Sequence, residues 1–131
     1  MRDLATRARV ARFGSVTIDG LPHLVPCCFA LAGDALYTAV DDVKPKSTRA
    51  LRRLDNIRVF PAVSVLVDHY GEDWSTLWWI RMDGEARVLE EASAEERHGL
   101  ELLARKYEQY RARTIPGPVI SVQITRWLAW P

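Results

Sequence analysis

Asp41-Asp42-Val43-Lys44-Pro45-Lys46-Ser47-Thr48-Arg49-Ala50-Leu51-Arg52-Arg53-Leu54, residues 41–54, is the stretch on which the reading of this chain turns. Ala35-Leu36-Tyr37-Thr38-Ala39-Val40 before it alternates like a strand, and from Thr48 the spacing is helical, so the stretch is a strand-to-helix junction. Between Lys44 and Arg58 stand six cations (Lys44, Lys46, Arg49, Arg52, Arg53, Arg58) against one acid, Asp55. The segment carries +5 where the whole chain carries +1, so the remainder is −4. Cations crowded around the first turn of a helix oppose its macrodipole, whose positive end lies there, and an anion neutralises both. A phosphate seat is the leading expectation. A solvated helix face, which most charge runs are, is the alternative.

Upstream, Val10, Phe13, Val16 and Ile18 follow a strand pattern, and Asp19-Gly20 supplies the residues of a tight hairpin turn. Pro22 to Leu31 reads as the returning strand, its prolines near the start, where an edge or bulge tolerates a missing donor. Ala32-Gly33-Asp34 turns into the third strand. Met1 to Arg9 is either a short helical lead-in or a solvated arm.

Downstream, Ala50, Leu51, Leu54 and Ile57 give the helix a buried face, with Arg49, Arg52, Arg53 and Asn56 toward the other side and Ser47 or Thr48 as cap. Pro61 ends it, and Val63, Val65 and Val67 mark a buried strand that runs into the acidic, aromatic loop 68–74. Thr76 to Met82 resumes as strand, and Asp83-Gly84 is either a turn or a bulge in one long strand to Leu89. Ser93-Ala94-Glu95-Glu96 is a capping box opening a helix with Leu100, Leu103, Ala104 and Tyr107 as its apolar stripe; Lys106, Arg111 and Arg113 lie toward its end. Pro116-Gly117-Pro118 breaks the chain, and Val119 to Trp130 alternates as a last strand. Six or so strands with two inserted helices predict a mainly β, small antiparallel barrel forming one domain over 1–131.

A 131-residue chain that is 48% hydrophobic can bury a core of its own. Its near-neutral charge gives no global pull toward nucleic acid or a membrane, and the basic junction lacks the broad footprint of a nucleic-acid binder. Adjacent Cys27 and Cys28 fit neither a spaced disulfide framework nor a metal motif, so no metal is expected. With no leader pattern and no apolar run near the roughly 18 residues of a membrane span, the expected location is a reducing cytoplasm.

The segments GLPHLVPCCFAL, LYTAVDDVKPKSTRALRRLDNIRVFPAVSVLVDHY and DWSTLWWIRMDGEARVLE, in this order, resemble the flavin/deazaflavin oxidoreductase superfamily. That superfamily is built on the pyridoxamine 5′-phosphate oxidase split β-barrel, and the resemblance spans Val10 to Trp130. The segments are most similar to its actinobacterial branch, whose members use the 8-hydroxy-5-deazaflavin coenzyme F420. The resemblance implies a homodimer with two cofactor sites at the interface. It implies phosphate contacts at Lys44, Lys46, Thr48 and Arg49, and a ring lying along His23, Leu24, Val25, Pro26, Tyr37, Thr38 and Ala39. Trp78 and Trp79, with His69 and Tyr70, stand as candidates for the far wall or for contacts with substrate or the partner subunit.

The implied activity is hydride transfer from reduced F420 to a small, hydrophobic or conjugated organic substrate. No catalytic residue is expected beyond a proton donor, for which His69, Tyr70 and solvent are the candidates. The competing readings are an FMN-dependent enzyme of the same fold and a cofactor-binding protein without turnover. Adjacent strand residues face opposite ways, so at most one of Trp78 and Trp79 can line a given pocket. His23 on an apolar strand reads more readily as a satisfied structural histidine.

Overall fold

The computed structural model describes residues 1–40, 48–112 and 118–131, with residues 48–51 described by backbone alone. The elements are α1 (Arg2–Arg7), β1 (Ala11–Val16), β2 (Pro22–Cys27), β3 (Ala30–Ala32), β4 (Ala35–Ala39), α2 (Thr48–Val59), β5 (Ala62–His69), β6 (Trp78–Val88), α3 (Ala94–Lys106), α4 (Glu108–Arg111) and β7 (Val119–Trp130). The seven strands form one antiparallel sheet in the order β2-β1-β5-β6-β7-β4-β3, curled into a split barrel.

Period-two alternation sorts the side chains. Phe13, Val65, Val67, Ile80, Met82, Ile120 and Val122 point inward, and Leu54 and Ile57 of α2 complete that core. On the opposite face α3 packs on β3, β4 and β7, where Tyr37, Ala39, Leu103, Tyr107 and Val119 form a second buried layer. The fit there is close: a Cβ on Gly99 of α3 would stand 2.9 Å from Tyr37 Cδ1.

Pro22 to Leu31 is not one strand. β2 lies at one edge of the sheet and β3 at the other, so Cys28-Phe29 crosses the barrel end between them. Tyr107 pins the crossing. Its hydroxyl accepts from Phe29 N at 3.1 Å and lies 3.0 Å from the Arg9 carbonyl and 3.1 Å from that of Phe29, to which its one proton can be given. Cys27 packs with the inner core and Cys28 with the α3 layer, as expected for neighbouring strand residues.

Asp83-Gly84 proves to be a bulge inside one long strand. The β6–β7 register slips there, from Asp83 opposite Arg126 to Gly84 opposite Ile124. Gly84 is needed, because a Cβ would stand 2.1 Å from the Gln123 carbonyl oxygen. The N-terminal segment is a docked helix. Ala5 is fully buried, and Arg2 both pairs with Asp34 at 2.9 Å and stacks 4.5 Å over the Trp127 ring.

Asn56 and Arg53 do not turn away from the core as expected. Asn56 is 3% exposed and Arg53 is half-buried, because α2 sits against both β1 and β6 and buries a wider arc than its apolar residues mark out.

Candidate functional site

The expected phosphate seat falls between β4 and α2 in the chain. Lys44 and Lys46 lie outside the described residues, as do the side chains of Thr48 and Arg49. What is described is the helix they precede: α2 begins at Thr48 and has no acid in its first turn. A helix N-terminus without an internal counter-charge offers free amides and a positive dipole end to an anion. Farther along α2, Arg52 and Arg58 are exposed, and Arg58 pairs with Asp55 at 3.5 Å. Arg53 instead turns inward toward Cys27, and burial lowers its pKa.

The residues expected along a cofactor ring do not share one face. His23 and Val25 point into the barrel side of β2, while Leu24 and Pro26 point outward, Leu24 with 68% of its surface exposed. Tyr37 and Ala39 lie under α3, so their side chains belong to the second buried layer. Thr38 faces the other way and donates from Oγ1 to the Cys28 carbonyl at 2.7 Å. Trp78 packs against the inner core, and Trp79, opposite Asp68 and Trp130, faces out. His69 and Tyr70 stand exposed at the far end of β5.

The outward set makes one surface. Leu24 of β2, half-buried Leu66 of β5, Trp79 of β6 and Trp130 of β7, the last 49% exposed, occupy the same side of the sheet. Across its other end runs an open groove of about 520 Å³, lined by Gly14, Val16, Ser64, Asp83, Glu85 and Thr125 among others. Asp83 and Glu85 are the charged residues of its lining, and Asp83 is the one held by hydrogen bonds. It accepts from Arg81 Nε at 2.9 Å and from Ser64 Oγ at 2.7 Å; burial pushes its carboxyl up, but these bonds outweigh it and hold the pKa below the usual range. The reading of the sequence missed this groove, although Gly14 in an alternating strand is a sign of close backbone approach.

Among the described residues no group of three or more His, Cys, Asp or Glu side chains is placed to hold a metal, and no helix is long and apolar enough to cross a membrane.

A family model described as pyridoxamine 5′-phosphate oxidase matches residues 1–131. No curated protein matches the chain. Many solved structures are similar to it in fold, three of them as follows. One is described as a 5-nitroimidazole antibiotic resistance protein from Bacteroides thetaiotaomicron (17% identity, 98% of this chain and 80% of that one, TM-score 0.73). Another is an FAD-binding protein from Mesorhizobium loti (22% identity, 98% and 87%, TM-score 0.70). The third is a heme storage protein from Vibrio cholerae (13% identity, 98% and 91%, TM-score 0.73).

Proposed function

Since the chain belongs to the pyridoxamine 5′-phosphate oxidase family, we propose that it is an oxidoreductase that uses reduced coenzyme F420 to transfer a hydride to a small hydrophobic or conjugated substrate. The observation that carries this reading is the junction itself. Four cations from Lys44 to Arg52 lead into or line the start of a helix whose first turn holds no acid. A phosphate there would meet free amides, a favourable dipole and charge-assisted donors together. Exposed Arg52 suits the polyglutamate tail of F420, which FMN lacks.

The residues present fit a phosphate-bearing planar cofactor on a second count. The uncovered sheet face offers Leu24, Trp79 and Trp130, side chains suited to a flat ring or to a second copy of the chain. We place the homodimer interface on this face, with a cofactor site at each of its margins and exposed His69 and Tyr70 available to substrate across it.

A bound, reduced deazaflavin supplies the hydride, so the chain's task is positional. Lys44, Lys46, Thr48 and Arg49 would hold the phosphate, and the uncovered face, which carries Arg12, Asp68 and Arg81 beside its apolar side chains, would orient what lies on it. Burial of that face against a partner would exclude water and let a substrate be held close to the cofactor. His69, Tyr70 or solvent delivers the accompanying proton. Free Cys27 and Cys28 fit a reducing cytoplasm.

The FAD-binding relative favours a second reading, FMN in the same seat. The two are separated by titrating the protein with each cofactor while following its tryptophan fluorescence, at low and raised salt. Tighter binding of F420, weakened by salt, is expected. Equal affinity, or tighter FMN binding, overturns the deazaflavin reading.

A further inference from the structure

The N-terminal segment links the two edge regions of the sheet. Arg2 of α1 meets Asp34, in the turn between β3 and β4, and the chain then runs into β1, the neighbour of the other edge strand, β2. Its apolar hold is small: Ala5 and Ala8 pack on the inner core, while Met1, Leu4 and Val10 are exposed. The bonds from Thr6 Oγ1 to the Arg2 carbonyl at 2.8 Å and from Arg7 Nε to the Asp3 carbonyl at 3.4 Å stay within α1 and do not tie it down. The Arg2–Asp34 pair is half-exposed on both sides, a kind of pair that contributes little. How firmly the segment is held is therefore decided at Arg9.

Arg9 meets the end of α3 three times. Its Nη1 donates to the Lys106 carbonyl at 3.0 Å, its guanidinium stacks 4.5 Å over the Tyr107 ring, and its carbonyl lies 3.0 Å from the Tyr107 hydroxyl. Lys106 intrudes on this clasp. Its Nζ lies 3.7 Å from the centroid of the Phe29 ring and 5.3 Å from that of Tyr107, so two cations share the Tyr107 ring. That nitrogen is buried and has no hydrogen-bond partner. The groups acting on it are Arg9 from the lead-in to β1, Cys27 and Cys28 from the end of β2, and the two rings, with no carboxylate among them. From α4, Tyr110 meets Tyr107 edge-on and Arg111 donates to the carbonyls of Ala104 and Arg105. A protonated Lys106 thus repels the guanidinium that holds the segment, and a neutral one does not.

We propose that residues 1–9 form a releasable strap between the two edge regions of the sheet, and that Lys106 is the pH-sensitive part of its clasp, loosening Arg9 when protonated and letting the strap close when neutral. Burial, and next the charge of Arg9, lower the pKa of Lys106 from 10.5 to about 8, more than the two rings offset. Freed from the clasp, the lysine returns toward its ordinary value, so the open form holds the extra proton. The strap is loose at neutral pH and tightens as pH rises through about 8. None of this depends on which cofactor the chain takes.

Limited trypsin cleavage of the full chain after Arg7 and Arg9, divided at each pH by the cleavage rate of a free peptide of the same sequence, reads the open fraction. Cleavage after Arg81, inside β6 and normalised in the same way, reports global unfolding. In the wild type the N-terminal cleavage exceeds that at Arg81 and is several-fold, up to about tenfold, faster at about pH 7 than at about pH 9. Lys106→Met, which lacks the charge, is cleaved slowly at both. Lys106→Arg, which keeps it, is cleaved fast at both. Equal wild-type rates at the two pH values, the wild-type pH ratio persisting in either variant, or N-terminal cleavage no faster than that after Arg81 overturns the proposal. Should Lys106→Met fail to fold, the wild type and Lys106→Arg still decide.

Discussion

The two long helices solve the same packing problem in different ways. α3 is completed by its own chain: Ser93 caps it by accepting from Glu96 N at 3.2 Å, acids occupy its first turn, and Gly99, Leu103 and Tyr107 fit against β4 and the β2–β3 crossing. α2 is left incomplete. Its first turn has no acid, Arg53 and Asn56 are turned in with unmet donors, and four of the junction's six cations, Arg49, Arg52, Arg53 and Arg58, lie in it. α3 is answered at its start and leaves Lys106 Nζ unmet only at its end, whereas α2 carries its unmet donors, Arg53 Nε and Asn56 Nδ2, in the middle of the helix.

The contrast predicts opposite outcomes for truncation on the two sides. Leu103→Ala, in the dry layer under α3, should cost about 2 to 5 kcal/mol in urea unfolding, since the site is closed by Tyr37 and Val119 and collapses little. Tyr107→Phe removes a hydroxyl that accepts from the Phe29 amide and gives its one proton to the Arg9 or the Phe29 carbonyl, and should cost about 1 to 3 kcal/mol.

A smaller, pH-dependent effect follows from Lys106. Its pKa is lowered from 10.5 to about 8 in the folded state, so between these values the unfolded chain holds the extra proton and rising pH favours the fold. Denaturation midpoints at neutral pH and about pH 9.5 should therefore diverge more favourably in the wild type than in Lys106→Met. The raised Cys27 thiol acts in the opposite sense, and because Lys106 holds that thiol down, Lys106→Met strengthens the opposing contribution and adds to the difference. The smallest change is expected on α2, where Asn56→Leu removes an unmet donor and should leave ligand-free stability unchanged or slightly raised. A large loss would mean that Asn56 is satisfied and α2 is as complete as α3.

Much of this was legible in the residues, and what was not has physical causes. The Ser93 capping box and the Asp19-Gly20 turn, where Gly20 has φ of 82°, are local signals and fall where the structure has them. The break between β2 and β3 was hidden, because Cys28-Phe29 carries no turn residue and the contact that bends the chain comes from Tyr107, 78 residues away. The ambiguity at Asp83-Gly84 depended on the Gln123 backbone, which only the folded sheet brings close. Inward Arg53 and Asn56 were missed because a helical pattern assigns polar residues to water by default, and a buried polar side chain leaves no mark in spacing. The alternation of β2 was legible all along: His23 and Val25 on one face, Leu24 and Pro26 on the other, so the four were never able to line one wall through their side chains.

The central claim is that the junction before α2 holds a cofactor phosphate. The most direct measurement is the dissociation constant of F420 for Lys46→Ala combined with Arg49→Ala, set beside the wild type and read by tryptophan fluorescence. Loss of two charge-assisted contacts should weaken binding by about 2 kcal/mol or more. An unchanged dissociation constant would contradict the account and put the phosphate elsewhere on the molecule.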